Sequence, residues 1–268
     1  MTQENRFVDR RSYMKLAGAA SIAGLAGCLE GDDENGEEAD GENTIVAGTA
    51  PGFPPFQMVE DGELIGFDID LLEAVVDETE YELAEWEQLE FDSLIPALEN
   101  ENIDVIAAAM TISEERQEQI AFSDPYYSAD QSILVQSGGD FQPESLDDFD
   151  GQTVGAQSGT TGETVVRDDL IEAGIVDEDD YTSFDNYVLA VEDLESGLID
   201  AVVLDEPVAA TFEAERDVEV AFVYETGEEY GFGIRQEDED LQAALSDGVA
   251  AVEESSEYEE ITSTWFGE

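Results

Sequence analysis

Hydrophobic and polar residues alternate with two different periods along most of the chain. Short apolar runs indicate strands, whereas apolar residues three or four positions apart indicate helices; in residues 67–78, for example, Ile69, Leu72 and Val76 fall on one helical face. The predicted strands are 44–48, 83–89, 104–109, 132–136, 153–156, 200–204, 218–223 and 230–235, and the predicted helices are 67–78, 92–100, 161–171, 187–196, 240–253 and 257–266. Strands that alternate with helices predict an α/β fold with mainly parallel sheets.

One helix-to-strand unit occurs twice in the sequence. Residues 98–106 match residues 194–202 at an offset of 96, with Leu, Glu, Ile and Asp in register. The repetition predicts two similar lobes, although a match this short also arises by chance. At the same offset Ala109 corresponds to Asp205. Because ligands bind at the carboxyl ends of strands in open α/β sheets, the ends of equivalent strands would carry Asp205 and the residues beside Arg116.

The first 28 residues have the features of an export signal. Arg10 and Arg11 begin a twin-arginine motif, and the weakly apolar run 16–29 has 14 residues, fewer than the ~20 of a membrane-spanning helix. The run contains Leu-Ala-Gly-Cys28, which is similar to a lipobox, where signal peptidase leaves the cysteine as a lipidated N-terminus. The alternative is a chance basic start before a buried helix. Cys28 is the only cysteine, so a membrane anchor is its simplest role.

The chain after Cys28 is extremely acidic. It holds 68 acids against four arginines, a net charge of −64, which excludes nucleic acids and anionic membrane surfaces as partners. Residues 29–43 have too few apolar residues to fold and predict a disordered acidic linker. A disordered protein is the competing explanation for the whole chain, but 42% regularly spaced apolar residues favour a packed core. An acid excess without lysine is typical of extreme halophiles, so most acids are interpreted as solvating groups.

Arg116 is the basic residue that local rules do not explain. Ser113 is predicted to cap a short helix with Glu114 and Glu115 in its first turn, which leaves Arg116 where the helix dipole disfavours a cation. An anionic ligand at the helix start would resolve this conflict, since the planar guanidinium matches a carboxylate with two parallel hydrogen bonds. The alternative is a surface arginine paired with Glu114 or Glu115.

Two other segments carry candidate ligand groups. Residues 157–163 (QSGTTGE) contain Thr160 and Glu163 at capping-box spacing, and the glycines would let an anion approach backbone N–H groups; the alternative is only a well-capped helix. Asp205 follows a fully apolar strand. It would either take the ammonium group of a ligand or be a solvated strand end.

The sequence excludes several kinds of chemistry. There is no histidine and Cys28 is predicted to be lipidated, so zinc, thiol and Ser-His-Asp chemistry are not expected. Neither a GxGxxG motif nor a P-loop lysine occurs. Phe53 and Phe91 lie just beyond strand-like segments and would pack the apolar part of a ligand or simply the core. We therefore expect no metal, no cofactor and none of these kinds of catalytic residue.

Together these segments resemble the extracytoplasmic solute-binding proteins of polar amino acid ABC importers, such as the histidine-, glutamine- and lysine/arginine/ornithine-binding proteins. The matching motifs are PPF at 54–56, GFDIDL at 66–71, LIPAL at 94–98, TISEER at 111–116, FSDPYY at 122–127, GTTG at 159–162, IDAVV at 199–203, Asp205 and WFG at 265–267. The resemblance implies the type II periplasmic-binding-protein fold, in which two α/β lobes joined by two strands close like a hinge. Lobe 1 would comprise 44–131 and 229–268, and lobe 2 would comprise 132–228.

The resemblance also implies an amino acid site. Its residues would be Phe53, Phe91, Ala109, Thr111, Arg116, Gln157, Thr160, Thr161 and Asp205. Arg116 and Thr111, with backbone N–H groups near Thr160 and Thr161, would take the α-carboxylate. Asp205 and the Ala109 carbonyl would take the α-amino group. Phe53 and Phe91 would flank the side chain, while Gln157 would reach in from lobe 2.

One position departs from the family pattern. Members that recognise a cationic or amide side chain often carry an acid where this chain has Ala50. Gln57 or a nearby glutamate could substitute for that acid. Because a buried cation without a counter-charge is costly, we expect neutral amino acids to bind better than lysine or arginine.

The implied protein is a monomer, lipid-anchored at the outer face of the cytoplasmic membrane after twin-arginine export, that delivers an amino acid to an ABC permease and its ATPase. Two alternatives share the fold. One is a ligand-sensing receptor subunit, which the absence of a kinase segment before Glu268 disfavours. The other is an enzyme like the cyclohexadienyl dehydratases, for which the sequence does not single out a general acid.

Overall fold

The structure is a computed structural model that describes residues 43–267. The predicted signal segment 1–28, with Cys28, lies outside the described residues, as does the linker apart from Asn43. No helix within 43–267 combines the length and apolarity that a membrane crossing requires.

The first sheet has five strands, and a small hairpin precedes its second strand. The strands of the sheet are β1 (Thr44–Thr49), β4 (Glu82–Gln88), β5 (Val105–Ile106), β6 (Ala121–Phe122) and, much later in the chain, β12 (Gly233–Ile234). The hairpin consists of β2 (Met58–Glu60) and β3 (Glu63–Ile65). The spatial order is β4-β1-β5-β12-β6. β1 is parallel to β4 and β5, whereas β12 is antiparallel to β5 and β6.

The second sheet has the same arrangement. Its strands are β7 (Tyr127–Gln136), β8 (Val154–Gln157), β9 (Tyr181–Phe184), β10 (Ala201–Asp205) and β11 (Val218–Tyr230), in the spatial order β11-β7-β10-β8-β9. β8 is parallel to β9 and β10, and β7 is antiparallel to β10 and β11. The repeated unit of the sequence therefore ends in the middle strand of each sheet, β5 in one and β10 in the other.

The expected two-lobed α/β fold is confirmed, with one correction. Each sheet is mixed rather than mainly parallel, since half of its strand pairings are antiparallel. The reason lies in the connections between the sheets. β7 enters the second sheet from the first, and β12 returns to the first sheet, so both run against the βαβ strands beside them.

Within residues 43–267, eight α-helices cover the sheets. They are α1 (Phe67–Asp77), α2 (Leu94–Glu99), α3 (Glu114–Gln117), α4 (Thr161–Val165), α5 (Tyr187–Glu195), α6 (Glu206–Glu215), α7 (Glu239–Glu253) and α8 (Ser256–Phe266). A π-helical stretch, Val166–Ile171, continues α4. α1 buries the predicted apolar face and packs against α7 and α8. Gly248 permits this packing, because a Cβ atom there would lie 2.8 Å from the Val75 carbonyl oxygen.

Two long antiparallel strands connect the lobes. Tyr127 of β7 pairs with Tyr230 of β11 at the first sheet, and Gln136 pairs with Val218 at the far end of the second. The register shifts between Tyr224 and Glu228, which is where the chain passes from one lobe to the other. The sequence predicted separate strands at 218–223 and 230–235; in the structure β11 extends to Tyr230, and the short strand β12 (Gly233–Ile234) lies within the second predicted segment.

Candidate functional site

All nine residues that were expected to form the site line one cleft between the lobes. Ala50, Gln57 and Ala108 complete the lining of the cleft. Residues that follow β5 face it from the first lobe. Gln157 and Asp205, the last residues of β8 and β10, face it from the second. The cleft thus lies at carboxyl ends of strands, as ligand sites in α/β sheets do.

Arg116 projects into this cleft from the start of α3. The Ser113 hydroxyl accepts a hydrogen bond from the Arg116 backbone N–H at 3.2 Å, which confirms the predicted cap. The guanidinium donates to the Thr111 carbonyl oxygen at 2.8 Å and, across the cleft, to the Gly159 carbonyl oxygen at 3.0 Å. It also lies over the Phe91 ring, 5.3 Å from the ring centroid.

Among the arginines that the structure describes, Arg116 differs from the others in having no ion pair. Within residues 43–267, no carboxylate oxygen lies within 4.0 Å of its guanidinium, so the predicted alternative of a pair with Glu114 or Glu115 is wrong. The other three arginines of the described segment each contact carboxylates: Arg167 pairs with Glu163 and Glu178, Arg216 with Glu195, and Arg235 with Asp104 and Asp238. Burial lowers the pKa of Arg116, although the more distant charges of Glu228 and Asp205 oppose that effect.

The second lobe presents the start of α4 to the cleft. Thr160 caps this helix, since its hydroxyl accepts from the Glu163 N–H at 3.3 Å and contacts the Tyr187 hydroxyl at 3.0 Å. The Glu163 carboxylate accepts from the Gly159 N–H at 2.7 Å rather than from the cap residue itself. First-turn amides such as that of Thr161 have no intrahelical acceptor and remain available to an anion.

Asp205 is the acidic group of the cleft. It is 3% exposed, so the alternative of a solvated strand end is wrong. Its carboxylate accepts hydrogen bonds from the Tyr230 hydroxyl and, at 2.9 Å, from the Gln131 side-chain nitrogen. Burial, followed by the charge of Glu228, raises the pKa of Asp205 to about 7. A ligand cation beside it would offset the cost of burying this charge.

Aromatic rings and amides line the rest of the cleft. The Phe53 ring lies 5.7 Å from that of Tyr187 in the other lobe. Gln57 and Gln157 are 1% and 3% exposed, and neither side-chain oxygen has a hydrogen-bond partner within the described chain. An unpaired buried acceptor costs about 1–3 kcal/mol, so both oxygens would be stabilised by N–H or O–H donors from a ligand.

Direct hydrogen bonds between the lobes show that the cleft is closed. The Thr111 and Thr161 hydroxyls are 3.0 Å apart, and the Ser158 hydroxyl donates to Asp92 at 3.1 Å. Together with the bond from Arg116 to Gly159, these contacts join opposite walls of the cleft.

Sequence reasoning missed Asp68, which positions one edge of the cleft. Asp68 is fully buried, and its carboxylate accepts from the Ala109 N–H at 2.5 Å and from the Tyr126 hydroxyl at 3.0 Å. Ala109 has φ +48°, a left-handed conformation that costs energy in a non-glycine residue. The hydrogen bond that the Ala109 N–H donates to Asp68 stabilises this bend of the backbone. The only sequence signal was the GFDIDL motif, which gave no reason to single out its first aspartate.

Sequence reasoning also missed the buried polar residues of the two strands that connect the lobes. Glu228 of β11 is 6% exposed and accepts from the Thr111 hydroxyl at 2.6 Å, the Gln131 amide at 2.8 Å and the Thr226 hydroxyl at 2.8 Å. In a chain with 70 acids, nothing in the sequence distinguishes this glutamate from its solvated neighbours.

The structure thus has two mixed-sheet lobes joined by two strands, and the closed cleft between them presents a buried carboxylate and a guanidinium that has no ion pair within residues 43–267. These features define a ligand-binding protein of the periplasmic-binding-protein type. Residues 45–268 match the model of the bacterial extracellular solute-binding proteins, family 3, and the chain belongs to that family.

Similar proteins bind amino acids. The arginine-binding extracellular protein ArtP of Bacillus subtilis (strain 168) is 30% identical over 260 residues, which cover 96% of this chain and 98% of that protein. An ancestral arginine-binding protein, solved with arginine bound and with glutamine bound, is 36% identical with a TM-score of 0.77, covering 84% of this chain and 99% of that one. The ancestral amino acid-binding protein AncCDT-1, a precursor of cyclohexadienyl dehydratase, is 31% identical with a TM-score of 0.75, covering 84% and 96%.

Proposed function

We propose that this protein binds a free L-α-amino acid in the cleft between its lobes and delivers it to an ABC importer. The observation that carries the proposal is the pair of opposite charges in one closed cleft. Arg116 is the one arginine in the described chain without an ion pair, and Asp205 is a buried acid beside no hydrogen-bonded cation. An α-amino acid carries a carboxylate and an ammonium group that complement these two.

The proposed roles follow from the donors and acceptors of each wall. The α-carboxylate would lie against Arg116 and Thr111 of the first lobe and against the amides near Thr160 and Thr161 of the second. The ammonium group would lie between Asp205 and the carbonyl of Ala109, whose bent backbone is stabilised by Asp68. A ligand that touches both walls favours the closed state. In this proposal the chain passes from lobe 1 to lobe 2 between residues 131 and 132, and back to lobe 1 between residues 228 and 229.

The side-chain end of the cleft favours a neutral ligand. Among the described residues, Asp205 is the only acid that lines the cleft, and the ligand's ammonium group would pair with it. Ala50 offers no counter-charge, whereas the unpaired oxygens of Gln57 and Gln157 accept neutral donors. We therefore propose that neutral amino acids, polar or modestly apolar, bind better than arginine or lysine, although the named relatives include arginine binders.

Competition in 2 M KCl tests this selectivity. A thermal-shift screen of the twenty L-amino acids first finds the ligands, because a ligand that binds the folded state raises its stability. Arginine and glutamine then compete for the protein in titration calorimetry. Preferential binding of arginine would show that another acid replaces the one absent at Ala50. An Ala50→Asp variant is the matched control, and its preference should move toward arginine.

The location of the protein is part of the proposal. The twin-arginine segment and Cys28 would export the chain and leave it lipid-anchored, with the acidic linker 29–43 as a spacer and the binding domain a monomer in a halophile. Family membership supports an extracytoplasmic place. Mass spectrometry of the mature N-terminus tests the anchor, and a Cys28→Ser variant that stays membrane-bound would contradict it.

A catalytic role is the second candidate. A buried carboxyl whose pKa lies at about 7, as that of Asp205 does, is suited to general acid catalysis, and AncCDT-1 is the precursor of a dehydratase. Incubation with prephenate or arogenate tests this role. If the wild type converts either compound and an Asp205→Asn variant does not, the enzyme is favoured over the binding protein.

A further inference from the structure

Glu228 is a second buried carboxylate directly behind the proposed ammonium subsite, although it does not line the cleft. One nitrogen atom, Nε2 of Gln131, donates to Glu228 at 2.8 Å and to Asp205 at 2.9 Å. The two carboxylate oxygens therefore lie within about 6 Å of each other, a separation at which like charges disfavour double ionisation.

No cation contacts either carboxylate in the described chain. The groups around Asp205 are Gln131 of β7, the Tyr230 hydroxyl and Glu228 of β11, Tyr187 of α5 and, at longer range, Arg116 of α3. Around Glu228 there are only hydroxyl and amide donors besides the same distant arginine. Two buried acids thus face each other across a neutral amide.

We propose that Glu228 is a positioning residue for the ammonium subsite. Because of Glu228, the subsite holds a proton in the free protein and releases it when the ligand's ammonium group binds. In the free protein the Asp205–Gln131–Glu228 cluster holds one proton. When an amino acid binds, its ammonium group takes the place of that proton, which leaves to solvent. The inference rests on the proposed amino acid function and adds a coupling between binding and pH.

Glu228 also orients the hydroxyl groups at the other end of the ligand. Thr111 has one hydroxyl proton and donates it to Glu228. In its contact with Thr161 at 3.0 Å, Thr111 must then accept, and Thr161 must donate. Both hydroxyl protons therefore point toward Glu228.

The test compares wild type with Glu228→Gln, which keeps the shape and removes the charge. Glu229→Gln is the matched control, because Glu229 is the next residue of β11 and is exposed. L-Glutamine and L-arginine are the probes, in titration calorimetry at 2 M KCl from pH 5.5 to 8.5. Two buffers of different ionisation enthalpy give the number of protons released.

Wild type and the Glu229→Gln control should release about half a proton at pH 7, and their affinity should fall by about tenfold per pH unit well below that value. In Glu228→Gln the fall should begin about one pH unit lower, with less proton release at pH 7 and weaker binding at pH 8.5. Equal proton release in all three proteins would overturn the proposal. An equal loss of affinity at every pH would assign Glu228 a merely structural role.

A ligand-free measurement separates this inference from the proposed function. A cluster that holds a proton in the folded state, but not in the unfolded state, loses stability as the pH rises through about 7. The Tm of wild type should therefore decrease more between pH 5.5 and 8.5 than that of Glu228→Gln. Parallel Tm profiles would overturn the proton cluster. If no L-amino acid binds wild type at pH 8.5, the proposed function fails, whatever these profiles show.

Discussion

Replacing Arg116 by alanine removes the one guanidinium of the described chain that no carboxylate neutralises. It deletes the hydrogen bonds to the carbonyl oxygens of Thr111 and Gly159 and the contact with the Phe91 ring. It also removes the group that would bind the ligand carboxylate. A charge-assisted contact of this kind contributes about 1.5–3 kcal/mol, which corresponds to a loss of affinity of roughly 10- to 150-fold.

The fold should survive this substitution. Arg116 is partly exposed, makes no ion pair in the described chain and lies in a helix of four residues, so its loss opens no core cavity. Titration calorimetry in 2 M KCl measures the affinity, and thermal unfolding of the free protein measures the stability. We expect the first to change by at least tenfold and the Tm by only a few degrees.

Two further variants make the result specific. Arg216→Ala removes an arginine that is paired with Glu195 outside the cleft, and it should leave affinity unchanged. Arg116→Lys keeps the charge but loses the planar fork, and it should bind with intermediate affinity. Affinity of Arg116→Ala within threefold of wild type would refute the assignment of Arg116 to the carboxylate.

Three other outcomes are expected. The Tm should rise steeply from dilute buffer to molar KCl, because the acidic charges of the chain after Cys28, a net −64, repel one another over about 10 Å at 0.1 M salt but only about 3 Å at 1 M. A flat profile would remove the halophile interpretation. X-ray scattering should show a smaller radius of gyration with a saturating amino acid than without it, and identical profiles would count against hinge closure. Burial raises the pKa of Asp68 to about 7, above its unfolded value of about 3.9. The contribution of Asp68 to stability is therefore complete below about pH 4 and is lost as the pH rises through 7. Asp68→Asn should show a shallower decrease of Tm from pH 5 to 8, and a decrease parallel to that of wild type would contradict this.

The sequence predicted the elements whose hydrophobic period is regular. The helix predicted at 67–78 occurs as α1, and those predicted near the C-terminus occur as α7 and α8. The strand predicted at 104–109 is shorter, because the Asp104 carboxylate accepts from the Val46 N–H and the chain bends at Ala109. Both effects depend on residues distant in sequence, so no local pattern reveals them.

The cleft was predictable where a residue conflicts with its surroundings. Arg116 conflicts with the helix dipole and Asp205 with an apolar strand, and both line the cleft. Glu228 and Gln131 produce no such conflict, since an acid or amide on a strand of this chain looks solvated. Their burial arises only when β7 and β11 pair across the connection between the lobes.

Three of the hydrogen bonds between the lobes, those that join the facing walls of the cleft, have a kinetic consequence. They join Arg116 to Gly159, Thr111 to Thr161 and Ser158 to Asp92, and each contributes only about 0.5–1.5 kcal/mol net. A captured molecule can leave only when all three are broken at once, so they govern its residence time rather than its rate of capture. Because their sum is modest, little free energy is needed to break all three and separate these contacts between the walls.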